Sequence, residues 1–439
     1  MRRKFSLRNA LTFIICVIVI LTITGFLHTV LYPHSTRNKT KACNDIWRCG
    51  DYGVKTLNIS KTYPEDNVNN ALQRKEVVED YTLHNLLDPK EQFDNHLMKF
   101  GENEKLKVIL LFNKPGFENE TTTNEKFKTC EYNNCRMTSN KRLLNTADAI
   151  LFDICNSDMG TEPPIDKQSR NPNQAWIFKC GETPIHHWFD DYKSNAWHNT
   201  MNWSISYRID SDMPHPYGYL KTRTFPRQFD YESIYRSKTK TALWVVSNCN
   251  TQSARDQYVA ELQRYGVDVD VYGKCGSNEN IDNETLNRII PKYKFYLGFE
   301  NSLCNDYITE KFFFYYDFNW IVVVQGGADY DRLLPTKSYI NTAHFSNVSL
   351  LADYLLNLGN DKDRYIDFLR KKDRYEQKYE YGHKYSICEM CRRLNKVSAF
   401  RKTYNNIQDY LENGQCRMPT DVQSVSKPSA FLNYERVFS

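Results

Sequence analysis

This chain carries little excess charge of either sign: 58 lysines and arginines stand against 53 aspartates and glutamates, a formal balance of +5 over 439 residues. The basic residues are dispersed, so the electrostatic footprint that a phosphate backbone would require is missing and a nucleic-acid partner is not indicated. Internal repeats and low-complexity tracts are also lacking, which leaves no basis for a repeat array or a biased linker fold. Cys388 and Cys391 form a C-x-x-C, but no second ligand pair at matched spacing accompanies it. Zinc would ordinarily want that pair, and a thioredoxin-like redox motif would want a strand-then-helix context that is absent. Structural disulfide bonding is the reading left for Cys388 and Cys391. Finally, no small-x-small cleavage site follows the one long apolar run, which argues against a removed signal peptide.

That run is Ala10–Leu31, long enough to cross a bilayer, with Arg2, Arg3, Lys4 and Arg8 before it. Such a basic flank holds the N-terminus cytosolic and sends the rest into a lumen. The expected layout is a cytosolic tail at 1–9, a transmembrane signal anchor at 10–31 and a polar luminal stem at 32–103. Of the 13 cysteines only Cys16 falls in the span, so the remainder are expected to pair in an oxidising compartment. Cys43 and Cys49 could close a loop in the stem or link two chains into a homodimer. N-x-S/T sequons at Asn38, Asn58, Asn119, Asn202, Asn283 and Asn347 fit the same compartment, although Asn202 sits in an aromatic segment.

Hydrophobic residues make up 41% of the chain and aromatics 14%, enough for substantial cores. The KVILLF run from Lys107 reads as a first strand, and further candidates are Ala149–Phe152, Ala175–Lys179, Ala242–Ser247, Val267–Tyr272, Lys294–Phe299 and Trp320–Gln325. Helical patterns between several of them argue for an α/β protein. A charged stretch at Tyr231–Lys240 divides it into two units, 104–230 and 240–439.

One segment stands out chemically. YKFYLGFENSLCNDYITEK, from Tyr293 to Lys311, is an apolar strand, a polar loop and a helix start capped by Thr309. A strand feeding a helix N-terminus beside a lysine suits a phosphate-bearing ligand, although Thr-Glu-Lys at a helix start is often capping alone. A second unit runs from Leu243 to Gly273. Ser253 is its expected N-cap and Arg255 lies in the first helical turn, where a cation is either an indifferent surface group or an anion's partner. In the third segment, AWIFKCGETPIHH, a strand leads into a turn carrying Glu182. Glu182 is either a turn stabiliser or a general base; His186 and His187 could position an acceptor, but two His on a loop more often face water. Asp210-Ser211-Asp212 has the outline of a D-x-D metal motif, but a structural or positioning role is preferred.

These segments together resemble the α1,3/α1,4-fucosyltransferase family (glycosyltransferase family 10), over about 107–394. NWSISYRIDSDMPHPYG, SNCNTQSAR, DVDVYGKCG, FENSLCNDYITEK, LLPTKSYINTAHF and the late C-x-x-C carry the likeness, in the family's order. The resemblance implies a GT-B architecture, two Rossmann-like domains facing a cleft, in a Golgi type II membrane enzyme. It implies GDP-fucose as donor substrate, a GlcNAc-containing glycan as acceptor, and no required cofactor or bound metal, with divalent-cation stimulation left open. Glu182 matches the family's general base. Arg255 and Lys311 match its diphosphate-binding cations, with Glu310, Asn301, Tyr307, Tyr272 and Gly273 at the donor side. FFFYYDFNW after Lys311 and the QGGADYD stretch depart from the usual pattern, which leaves open either a reshaped donor-side wall or weakened activity. A type II membrane glycan-binding protein without turnover, or a transferase for another nucleotide sugar, are the alternatives.

Overall fold

The computed structural model describes residues 105–115, 119–276, 282–378 and 381–422. The anchor, the stem, Cys43, Cys49, Asn38 and Asn58 lie outside the described residues. Among those described, no helix is long and apolar enough to cross a membrane.

The apolar runs form two parallel sheets. The first holds β1 (Lys107–Asn113), β2 (Cys135–Thr138), β3 (Ala149–Asp153), β4 (Ala175–Cys180), β5 (Trp203–Ser206) and β6 (Met213–Pro214), in the order β2-β1-β3-β4-β5-β6. An antiparallel ribbon pairs β7 (Tyr219–Thr222) with β13 (Tyr375–Lys378). The second sheet holds β8 (Lys240–Val245), β9 (Val269–Tyr272), β10 (Tyr293–Phe299), β11 (Ile321–Gln325) and β12 (Ile340–Asn341), ordered β12-β11-β10-β8-β9. Ile321, Val322, Val323 and Val324 are wholly buried, as expected of a parallel strand covered on both faces, where alternation gives way to a continuous apolar run. The short strands β2, β5, β6, β7, β12 and β13 were not anticipated. Each is too brief to show a period of its own.

In the second sheet the chain passes from β8 to β9 on one side and places β10 on the other. The strand order therefore reverses between β8 and β10. In open α/β sheets the crevice beyond the carboxyl ends at such a point is the usual ligand site. The loops leaving β8 and β10 are the ones that lead to Arg255 and Lys311.

Linear division into 104–230 and 240–439 needs correction. The helix Tyr381–Asn395 packs Ile387, Met390 and Leu394 into the core of the first sheet, and Ile407 and Leu411 join that sheet's other face. The C-terminal segment thus returns to the first unit. Cys388 and Cys391 are both disulfide-bonded, though not to each other: Cys130 pairs with Cys388 and Cys135 with Cys391. Three residues apart on a helix, they share a face and meet the two cysteines that flank the turn into β2. Cys155–Cys180, Cys249–Cys275 and Cys304–Cys416 complete the described bridges.

Among the sequons, Asn119 and Asn347 are exposed N-caps, and Asn283 opens the helix Asn283–Ile289. Asn202 packs beside the first sheet. Its Oδ1 accepts from the Trp176 N–H at 2.9 Å and its Nδ2 donates to the Lys402 carbonyl at 2.8 Å.

Because the paired bridges of the Tyr381–Asn395 helix close loops of 258 and 256 residues, their loss should be costly. Replacing Cys388 or Cys391 with Ser is expected to remove about 2–4 kcal/mol of stability. Denaturant unfolding would read this as a lowered midpoint, and an unmoved midpoint would contradict the role.

Candidate active site

Glu182 sits on the loop that follows β4, just after Cys180. Its Oε1 accepts from the backbone N–H of Thr183 at 2.8 Å and from the Tyr307 hydroxyl at 2.6 Å. Tyr307 belongs to the loop after β10, so this bond joins the two sheets' loops. Beside it the Thr183 and Ser302 hydroxyls lie 2.9 Å apart, both fully buried. Tyr207 and Tyr217 pack edge-on against the Tyr307 ring. Burial raises the Glu182 pKa above the ordinary carboxylate range, against the lowering effects of Tyr307, Thr183 and Lys311. Tyr307, buried among carboxylates, titrates well above an ordinary tyrosine and stays a donor.

The loop after β10 is organised around Glu300. This side chain is fully buried, and its carboxylate accepts from the Thr309 N–H at 2.8 Å and the Thr309 hydroxyl at 2.9 Å. Lys311 Nζ lies 3.1 Å from Glu300, 3.0 Å from Glu310 and 2.9 Å from the Thr309 hydroxyl. Burial works against the Lys311 ammonium, but Glu300 and Glu310 outweigh it and hold its pKa above the usual lysine value. Thr309 caps the helix Glu310–Tyr316 as the sequence indicates. Asn301 is 7% exposed and its carbonyl accepts from the Ser253 N–H at 3.2 Å.

Arg255 opens the helix Arg255–Arg264, but Ser253 is not its cap. Ala254 holds that position in the left-handed region, and the Ser253 hydroxyl instead donates to the Glu300 carbonyl at 2.6 Å. Arg255 is only 4% exposed. Its terminal nitrogens donate to the carbonyls of Phe299 at 2.7 Å and Asn248 at 2.8 Å. The guanidinium therefore braces the loops after β8 and β10, and its charge acts at the switch point through that brace.

Tyr272 and Gly273 end β9. Gly273 has φ +91°, and a Cβ there would sit 2.4 Å from the Val246 carbonyl oxygen. They are tied to the end of β8, through Val246 and the Cys249–Cys275 bridge, and make no described hydrogen bond to the Glu182 group.

Neither histidine is a water-facing loop residue. His187 is held by the Tyr192 hydroxyl at 2.8 Å and lies 3.3 Å from the Glu182 carbonyl. Burial lowers its pKa to about 3. His186 is also kept neutral by burial, in the field of Arg255 and Lys311, and its Nε2 is buried without a partner. Arg255 Nε, Gln325 Oε1 and Tyr330 Oη are likewise orphaned. Buried polar atoms are normally paired with protein or water, and among the described residues Lys238, Asp256, Gln377 and Asp421 carry such an atom as well. His186, Gln325 and Tyr330 were not singled out as donor-side groups from sequence, because nothing local distinguishes them.

Asp210 pairs with Arg208, and Asp212 accepts from the Ser204 N–H at 3.0 Å and the Tyr404 hydroxyl at 2.8 Å. Both are framework residues. Cys155, Cys180 and His187 bring potential metal ligands together, but the two sulfurs are joined as a disulfide. The divergent FFFYYDFNW stretch is core: Tyr315 and Trp320 stack on Tyr296 at 4.0 and 4.9 Å. In QGGADYD, a Cβ on Gly327 would lie 2.3 Å from the Leu303 carbonyl carbon, so glycine lets this loop close against the loop after β10.

The two parallel sheets are thus joined at their loop ends, where half-buried Glu182 of the first meets Tyr307 beside the strand-order reversal of the second. The chain belongs to glycosyltransferase family 10. "Fucosyltransferase, N-terminal" matches residues 104–218, and "Glycosyltransferase family 10 (fucosyltransferase) C-term" matches 235–410. It is 35% identical to Alpha-(1,3)-fucosyltransferase C of Drosophila melanogaster, over 59% of this chain and 64% of that one. Against Glycoprotein 3-alpha-L-fucosyltransferase A of the same organism it is 32% identical, over 70% and 60%. The human 4-galactosyl-N-acetylglucosaminide 3-alpha-L-fucosyltransferase FUT6 is 31% identical, over 61% of this chain and 73% of that protein. The chain thus spans less than two thirds of the length of the two Drosophila relatives.

The raised Glu182 pKa has a stability consequence. A carboxyl whose folded value exceeds its unfolded value costs stability as pH rises through the unfolded value, up to the folded one. Glu182→Gln is therefore expected to unfold at a higher temperature than wild type at neutral pH. The gap should close below about pH 4, where both states are protonated. Thermal melts across that range would show a constant gap if the carboxylate were unstrained.

Proposed function

We propose that this chain is an inverting α1,3-fucosyltransferase that moves L-fucose from GDP-β-L-fucose to a GlcNAc hydroxyl of a glycoprotein or glycolipid glycan. The observation that carries the reading is the seating of Glu182 against Tyr307. The support is a carboxylate with a raised pKa, bonded to Tyr307 and within the field of Lys311. The names of the relatives supply the linkage. The acceptor hydroxyl gives its proton to Glu182 as its oxygen bonds to the anomeric carbon, while the bond to the β-phosphate oxygen breaks and GDP leaves with the electron pair. One displacement turns the β-linked donor into an α-linked product.

Charge builds on the departing diphosphate, and Lys311 with Arg255 behind it provides a fixed positive field there. Glu310 and Asn301 support that field or orient the ribose and fucose, and Tyr272-Gly273 lines the nucleotide end. No metal enters this scheme. The architecture is of the GT-B type, with the donor on the second sheet. The apolar run at 10–31 would anchor it as a type II protein of the Golgi membrane, with the catalytic part luminal and the stem or anchor able to pair two chains.

The full-length chain in detergent should transfer fucose from GDP-fucose to a panel of GlcNAc-terminated, LacNAc, LacdiNAc and core N-glycan acceptors. Glu182→Gln should lower kcat by about a hundredfold or more, as expected for loss of a general base. Folded protein that neither transfers fucose nor binds GDP would end this reading. Tyr307→Phe removes a bond that lowers the Glu182 pKa, so the acidic limb of its kcat/KM profile should move to higher pH. A limb that stays in place would mean the limb reports another group.

A further inference from the structure

Trp176, Trp197, Trp203, Trp244 and Trp320 are all 4% exposed or less, whereas Trp188 is 82% exposed. Water around a whole indole is unfavourable, and the position of this one is informative. Trp188 lies on the same loop as Glu182, directly after His187. Its backbone N–H donates to the Cys155 carbonyl at 3.0 Å. The His187 ring beside it is fixed by Tyr192 and lies 3.2 Å from Cys180 Sγ and 3.3 Å from the Glu182 carbonyl. The Cys155–Cys180 bridge ties the residues that follow β3 to the end of β4 beneath the loop. The exposed ring therefore extends from a backbone fixed through its own N–H and through the neighbouring His187.

We propose that Trp188 is the platform on which the acceptor sugar stacks as its hydroxyl approaches Glu182, an inference that rests on the transferase reading above. A pyranose presents one face of C–H bonds and a rim of hydroxyls. An indole offers a flat apolar face of similar extent and an N–H at its edge, and it loses little conformational freedom on binding. A platform already held rigid adds affinity because it does not have to be ordered when the ligand arrives. Trp188 touches the acceptor and takes no proton, so it is a positioning residue. It would act on acceptor affinity and leave the donor side unchanged.

The test compares full-length wild type, Trp188→Ala and Trp188→Phe in detergent, with GDP-fucose and a GlcNAc-terminated biantennary N-glycan. Trp188→Ala should raise the acceptor KM by about tenfold or more. Its kcat at saturating acceptor and its KM for GDP-fucose should stay within about twofold, and Trp188→Phe should recover most of the acceptor KM. An unchanged acceptor KM in Trp188→Ala overturns the proposal. Saturation-transfer NMR of the same glycan with GDP present reads the contact without turnover. A glycan signal lost in Trp188→Ala and kept in Trp188→Phe supports the platform. Equal signals from wild type and Trp188→Ala, or no signal from folded wild type, overturn it. A wild type that binds GDP and the glycan yet transfers nothing would defeat the transferase reading alone, and the NMR comparison would still decide Trp188.

Discussion

The hydrogen bond from Tyr307 to Glu182 is the constraint around which the rest of this molecule is arranged. At 2.6 Å it joins a loop of the first sheet to a loop of the second. A buried carboxylate without such a donor would be strongly disfavoured in its charged form. Tyr307 is itself set by aromatic packing against Tyr207 and Tyr217 from the first unit. The contact that tunes the acid is thus also a contact that seats one sheet against the other.

The second sheet solves a harder electrostatic problem. Glu300 is fully buried at the end of β10, and the structure tolerates its charge because Thr309 donates twice and Lys311 stands within 3.1 Å. Removing one partner of such a set leaves an uncompensated buried charge, which is why the groups behave as a unit. Arg255 contributes from the other side by bracing two strand-end carbonyls. Around the point of strand-order reversal, Arg255 and Lys311 stand with Glu300 and Glu310 as a compact set of matched charges that retains unsatisfied polar atoms. Such unpaired atoms cost stability until water or a ligand meets them.

Much of this was legible from the chain alone. The long strands of both sheets announce themselves as continuous apolar runs, because a strand covered on both faces has no polar positions to interrupt it. Thr309 as a cap and the polar loop after β10 were equally clear from local chemistry. Legibility stopped where a residue's role depends on what reaches it from far away. Ser253 had the outline of a cap, yet its hydroxyl turned to the Glu300 carbonyl. His186 and His187 read as water-facing loop residues and proved half-buried, with His186 Nε2 unpaired. Asn202 fits a glycosylation sequon but its amide is committed to the first sheet. The aromatic run after Lys311 read as a departure near the site and is a stacked core against Tyr296.

What the sequence determined by itself is the set of long strands, the order in which they come and the residue types available to a transferring site. These follow from periodicity and capping, which act over a few neighbouring residues. Tertiary structure alone decided which cysteines pair and how the C-terminal segment returns to the first sheet. It also decided that Arg255 faces carbonyls, and that Glu182 meets Tyr307 with Trp188 left in water beside them. Those outcomes depend on contacts between residues distant in the chain. Such contacts are selected by the summed burial and hydrogen bonding of whole elements and leave no local pattern to read.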